Sequence, residues 1–417
     1  MSEEIACKRP RVEAGDHLEP PDACTCPLMD CAEASRISIK YEDVETRLAG
    51  LMAEEGVAIV TGMLAPEEMG EFEGFLRQDM EELIDASALA SSDETVQAAW
   101  QRVCQEGLPS WPAASLADVG ARGRFQDHGM PHGRFAWKAR THAKVRRVYE
   151  LLHGTGDLVS SCDNAFVANA SQAEVAQNKS WPHVDQNDHE KRIPCKEWDV
   201  YQGLLYVWSS EVSHASTTVV WPASHKEPYA DYMSDPRVQK RLDAGRPHFT
   251  LISAMVPGEA RDRLIRGWQA HGRRMPVPAG SLLLWTSRTT HQGWSGGPRL
   301  AQPVCWEPRS RRTELARERK LRLAALGLPS THWPSLGQPH ELSEQQKPQP
   351  AVAEGSDDRE QVHFPLRWSV RSQALVPEAD MDQLWRVLQT PDWFEPLPVG
   401  LKELIEASIK DEYKTYL

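Results

Sequence analysis

Long apolar runs are missing from this 417-residue sequence: the longest, Gly203–Trp208 and Ser281–Trp285, are strand-length, far below the roughly 18 residues of a membrane-spanning helix. That excludes a transmembrane helix. The opening residues MSEEIACKRPRVEAGD carry charges throughout and have no apolar h-region, which argues against a secretory signal. Cysteine is scarce, with eight residues spread from Cys7 to Cys305. This is too sparse for a disulfide framework, so reduced thiols are expected. Positive charge is in deficit: 47 Lys and Arg against 60 Asp and Glu leave −13. Such a field repels phosphates and disfavours nucleic acid or an anionic membrane as partner. There is no internal repeat. The expected compartment is the cytoplasm. Arg11-Val12 and His17-Leu18 are similar to an R-[LIV]-x5-[HQ]-L peroxisomal signal, but four residues separate the pairs, one short.

What is present changes in texture along the chain. Residues 1–38 are charged and proline-containing with few spaced hydrophobes, and read as a disordered tail. Its Cys24, Cys26 and Cys31 lack CxxC spacing and a nearby fourth ligand, so solvated thiols are expected rather than zinc. Residues 39–156 read as helices and a strand packing on a core. Gly56–Val60 is strand-like, Pro66 opens a helix with Met69, Phe72, Phe75, Leu76, Met80, Leu83 and Ile84 at helical spacing, and a second helix over Ala143–Leu152 stops at Gly154. From 157 to 310 the sequence becomes a series of short β-branched and aromatic runs separated by Gly, Pro, Ser and Asn, which predicts an all-β sandwich or barrel. Residues 311–417 read as C-terminal helices, over Thr313–Leu326, 378–390 and 400–415, with a polar linker at 341–361.

The sharpest chemical signal is Trp181-Pro182-His183-Val184-Asp185-Gln186. In an extended segment, residues two apart share a face, so His183 and Asp185 present an imidazole and a carboxylate side by side. Alone the pair is weak. Downstream, the strand Ser281–Trp285 leads to His291, then to the turn-rich Ser295-Gly296-Gly297-Pro298, then to Arg299 opening another apolar strand. If the two strands form a hairpin, His291 and Arg299 lie close together. Two His and one carboxylate on one face of a metal, with three positions open, is the arrangement of non-haem iron(II) oxygenases. An Arg nearby supplies a fork for a carboxylate.

These residues resemble the phytanoyl-CoA dioxygenase family of iron(II)/2-oxoglutarate-dependent oxygenases over roughly 55–310. The resemblance rests on His183-Val184-Asp185, on Trp208 after YQGLLYV, on Trp221-Pro222-Ala223-Ser224-His225-Lys226, and on His291 with Arg299. It extends to Trp137-x-x-Arg140-x-His142 and Gly156-Asp157-Leu158 ahead of Asp163. It implies a mainly β fold with flanking helices, a double-stranded β-helix or jelly roll. It further implies iron(II) on His183, Asp185 and His291, with 2-oxoglutarate and dioxygen as co-substrates and the 2-oxoglutarate carboxylate on Arg299. Trp208 and Trp285 are expected to line the site. The family often has Ser or Thr two residues after the distal His; here that position is Gly293, and Ser295 is the substitute. Asp185 fills the position a halide would need, so hydroxylation is favoured over halogenation.

The expected substrate is a small organic or lipid-like molecule. Residues 122–147 hold Arg122, Arg124, Arg134, Lys138, Arg140, Lys144, Arg146 and Arg147 against Asp127 alone. This suggests a mobile lid in which Arg134 and Arg140 draw in an anionic substrate, against the alternative of a solvated basic helix. Two other functions stay open: a catalytically silent jelly-roll binding protein, and a zinc hydrolase on the same two His and one Asp.

Overall fold

A computed structural model of the chain describes residues 17–86, 124–125, 130–168, 178–189, 195–240, 250–313, 316 and 329–335. The strands in chain order are β1 (Ser38–Lys40), β2 (Val57–Thr61), β3 (Arg124–Phe125), β4 (Leu158–Ser160), β5 (Ala165–Ala168), β6 (His183–Val184) and β7 (Tyr201–Tyr206). They continue with β8 (Thr217–Val220), β9 (Thr250–Leu251), β10 (Arg273–Arg274), β11 (Ser281–Thr286), β12 (His291–Trp294), β13 (Arg299–Pro303) and β14 (Trp306–Pro308). The order β1-β2-β11-β7-β13-β5-β3 makes a seven-stranded sheet, β10-β8-β12-β6-β9 a five-stranded one, and β14 pairs with β4. Except for the parallel β1–β2 pair, every pairing between these strands is antiparallel.

Side-chain alternation makes these sheets into a sandwich. Along β7, Leu204 and Tyr206 join Ile59, Leu283, Trp285, Ala301 and, from the five-stranded sheet, Val220 in an inner cluster. Leu205, Leu282, Leu284 and Leu300 point outward. There they meet α2 (Val44–Glu55), α3 (Pro66–Ala86), α4 (Arg134–Thr141) and α5 (Ala143–His153). The outer face of the five-stranded sheet, with Val184, Val219 and Trp294, is covered by α6 (Glu227–Ser234), α7 (Pro236–Lys240) and α8 (Glu259–His271). Two sheets with helices on both outer faces give the expected mainly β jelly roll. Gly203 lets α5 approach β7, since a Cβ there would stand 2.5 Å from the Tyr149 hydroxyl.

The residues after 16 in the expected tail are ordered. Asp30 and Glu33 form a capping box on α1 (Cys31–Ile37), Ile37 is buried, and β1 joins the large sheet. Upstream, Cys24, Cys26 and Met29 are buried instead of solvated, while Cys31 is exposed. Composition misleads here because Cys24, Cys26, Met29 and Ile37 land in gaps of the body, although Leu18 stays exposed. Long-range polar contacts then fix the strap, among them Leu18 N–H to Asp262 at 3.1 Å and Arg261 to the Leu18 carbonyl at 2.8 Å.

The expected β12–β13 hairpin does not form. The strands lie in opposite sheets, and the Gly-rich turn is a crossing held by Gly296 N–H to Ser216 Oγ at 2.8 Å and by Gly297 N–H to the His214 carbonyl. Most of the helix expected over Thr313–Leu326, and all of 341–361, 378–390 and 400–415, lie outside the described residues. Among the described residues, no helix is long and apolar enough to cross a membrane.

Candidate metal centre

Val184 turns outward under the α6–α8 layer, so its neighbours His183 and Asp185 both turn inward. His183 pairs across the sheet with His291, whose other neighbour is the inward Val220. One ligand atom from each of His183, Asp185 and His291 lies within 4.8 Å of the others, all buried. Asp185 Oδ2 stands 3.6 Å from His183 Nε2 and 3.2 Å from His291 Nε2.

The surroundings suit metal ligation. The Trp181 carbonyl is 3.1 Å from His183 Nδ1 and the Thr289 carbonyl 2.9 Å from His291 Nδ1. A carbonyl accepts only from an N–H, so each ring carries its proton on Nδ1 and turns a lone pair on Nε2 toward the centre. Gln202 Nε2 donates to Asp185 Oδ2 at 2.9 Å, and the Asp185 amide donates to the Ser287 carbonyl at 2.9 Å. Trp181 stacks on His183 with centroids 4.8 Å apart, and Trp285 stands 5.2 Å from His291. Burial, reinforced by His291, pushes the His183 imidazole down. Burial alone would raise the Asp185 carboxyl, but His332, His183 and His291 together hold it well below the usual carboxylate range. A neutral imidazole beside an ionised carboxylate is the protonation state a divalent cation requires. Two nitrogens and one carboxylate oxygen fit iron(II), with zinc also compatible.

Arg299 faces the same interior. It is 6% exposed, with Cζ 4.4 Å from the Phe166 ring centroid and 5.2 Å from that of Tyr206. One terminal nitrogen donates to the Tyr206 hydroxyl at 3.0 Å, and Nε finds no hydrogen-bond partner among the described residues. A buried guanidinium with an orphaned donor and no carboxylate on it, among the described residues, has the free hydrogen-bonding capacity that a carboxylate would use.

Trp285 lies beside His291, whereas Trp208, Ser295, Arg140 and Arg134 lie away from the centre. Trp208 lies on the helix side and donates to Glu73 at 2.6 Å. The reason is a break in alternation, since the Val207 and Trp208 amides both donate to the Leu300 carbonyl. Ser295 is exposed and tied at the sheet rim to Asn178, so the hydroxyl beside Arg299 is that of Tyr206. Arg140 is fully buried, donating to the Pro131 carbonyl at 2.6 Å and to the Asp163 carbonyl, over the Trp137 ring. Arg134 instead lies beside Asp79 at 3.5 Å, and Asp79 also accepts from the first two amides of α4. Arg134 and Arg140 are built into the helical layer, while Lys138, Arg146 and Arg147 are exposed on α4 and α5; counting cations does not distinguish a buried clamp from a mobile lid. Gln202, Tyr206, Trp181 and His332 were not anticipated. The first two share a parity with Leu204 that becomes readable only once the inner face of β7 is known.

No family model matches the chain. The chain is similar to Ava biosynthesis cluster protein O of Aspergillus versicolor, 25% identical over 228 residues that span 54% of this chain and 70% of that protein. Among solved structures it is similar to GIG2 (DUF1479) of Candida albicans, at 12% identity, TM-score 0.43, covering 91% of this chain and 86% of that one. EctD of S. alaskensis, solved with 2-oxoglutarate and 5-hydroxyectoine, matches at 15% identity and TM-score 0.38 over 72% and 88%. The epimerase SnoN, solved with Fe3+, alpha ketoglutarate and a nogalamycin compound, matches at 14% and 0.36 over 64% and 84%.

Proposed function

We propose that this chain is an iron(II)/2-oxoglutarate-dependent oxygenase of the phytanoyl-CoA dioxygenase type, hydroxylating a small organic or lipid-like molecule. The observation that carries this reading is the coincidence, inside one jelly roll, of the buried His183–Asp185–His291 set with a buried Arg299 that has no carboxylate on it among the described residues. Iron(II) held by the three ligands would supply the oxidising chemistry together with 2-oxoglutarate and dioxygen. The chain's own part is geometry. His183 and His291 offer Nε2, Gln202 orients the Asp185 carboxylate, and Arg299 with Tyr206 binds the distant carboxylate of the co-substrate. The indoles of Trp181 and Trp285 keep water from the ligands. A zinc hydrolase on the same triad would leave Arg299 without a purpose. The burial of Arg140 and the pairing of Arg134 remove the basis for an anionic substrate, and none is proposed. Similarity to a protein named for a biosynthesis cluster is in keeping with a small-molecule substrate.

The test is uncoupled turnover. Purified chain reconstituted with iron(II) should convert 2-oxoglutarate slowly to succinate without other substrate, and His183→Ala or Asp185→Ala should abolish this. Unchanged succinate formation in both variants refutes the assignment.

A further inference from the structure

A third imidazole borders the metal centre, and it comes from beyond the strands. His332 lies in the segment 329–335, which is fixed at three points. The Ser330 amide donates to the Cys162 carbonyl at 3.1 Å while the Cys162 amide donates to Ser330 Oγ at 2.8 Å. Trp333 is fully buried beside Val200 and Trp198. The Ser335 amide and hydroxyl donate to the buried Glu307 carboxylate at 2.8 and 2.5 Å. Between these anchors the His332 side chain is 16% exposed, with Nε2 3.6 Å from Asp185 Oδ2. That is the oxygen that also faces His183 and His291. His332 does not belong to the set of ligand atoms lying within 4.8 Å of one another, so it flanks the centre without completing it.

We propose that His332 is a positioning residue of this metal centre, its imidazole holding by proximity the same Asp185 oxygen to which the strand-borne Gln202 donates, so that the functional unit extends past the β-sandwich to residue 335. The proposal rests on the metal-binding part of the oxygenase reading. A carboxylate held by one partner only can rotate about its terminal bond and lose the orientation a cation needs. Partners that fix a ligating carboxylate typically change metal affinity by about 10- to 100-fold when removed. A segment pinned at residues 330, 333 and 335 delivers such a partner at little further cost in conformational freedom.

The experiment uses two amide variants of the full chain, titrated with cobalt(II) and followed by its visible absorption. In His332→Gln the amide nitrogen reaches about where Nε2 stood, whereas in His332→Asn it stops short, at the level of Nδ1. The two side chains have the same polar groups, so equal thermal melting is expected and a merely structural role would not separate them. His332→Asn should weaken cobalt binding about 10-fold or more and shift the visible bands, while His332→Gln stays within a few-fold of wild type. Wild-type affinity and spectrum in both variants, or equal weakening in both, overturns the proposal while leaving the triad standing. Failure of the wild-type chain to bind cobalt overturns the metal-centre reading and this inference with it.

Discussion

Replacing Arg299 by Lys keeps the charge and removes the planar fork, and its consequences can be worked from the surroundings. The guanidinium lies over the Phe166 and Tyr206 rings at 4.4 and 5.2 Å and donates to the Tyr206 hydroxyl. An ammonium is a hydrated point charge that neither stacks in this slot nor offers paired N–H groups to a carboxylate. Loss of one charge-assisted contact costs about 1.5 to 3 kcal/mol, or roughly one to two decades in affinity. The KM for 2-oxoglutarate in the uncoupled succinate assay should therefore rise about 10- to 100-fold, with affinity for the metal unchanged. A companion variant, Arg299→Met, removes a buried charge that has no carboxylate partner among the described residues while keeping the volume. It should melt no lower than wild type without 2-oxoglutarate and fail to gain stability when 2-oxoglutarate is added. An unaltered KM in Arg299→Lys, or a normal melting response in Arg299→Met, would show that another cation receives the carboxylate.

Two further outcomes concern stability. Arg140→Met removes the buried donor of the Pro131 carbonyl and leaves the Asp163 carbonyl with Gln302 in place of two donors and should cost roughly 2 to 5 kcal/mol in a urea titration; a normal urea midpoint with an altered substrate KM would return Arg140 to the site. His153 donates to the Trp306 carbonyl at 2.9 Å, and burial followed by the Arg311 guanidinium pushes its imidazole down to about 4. Its folded-state value thus lies below the ordinary 6.5, and the unfolded chain binds the proton first as pH falls. Stability from this group is full above about pH 6.5 and is lost progressively down to pH 4, by at most about 3 kcal/mol because the ring is partly solvated. His153→Gln should flatten that portion of the pH profile of urea midpoints, and an identical slope in both proteins contradicts the assignment.

The β-sandwich is legible in sequence because β2, β5, β7, β8, β11 and β13 are apolar runs punctuated by turn residues. The metal-ligand candidates are legible for a different reason. A two-residue strand such as β6 has no periodicity to detect, and only the His-x-Asp spacing marks it. Arg299 was placed near His291 through a hairpin that does not exist; a crossing between sheets brings it to the interior instead. Side-chain parity requires knowing where a strand ends, which is why Trp208 was put inside and Tyr206 overlooked. His332 gave no signal at all, since it lies 41 residues beyond His291 and is held by contacts with Cys162 and Glu307 that local sequence does not encode. The strap from residue 17 to 30 fails for the same reason, its order residing in long-range partners such as Asp262.

The brevity of β6 has a consequence for how the site can fail. Only His183 and Val184 pair there, His183 opposite His291 on one side and opposite Leu251 on the other, with the preceding Pro182 carbonyl accepting from the Ile252 amide at 3.0 Å. A slip of one residue sets Val184 against His291 and sends both His183 and Asp185 to the outer, helix-covered face. No intermediate offset preserves one ligand and loses the other. Strand alignment in this sheet is therefore a binary variable for metal capacity. A population of chains damaged at Pro182 or Leu251 should divide into molecules with full metal affinity and molecules with none, instead of shifting together to a weaker common affinity.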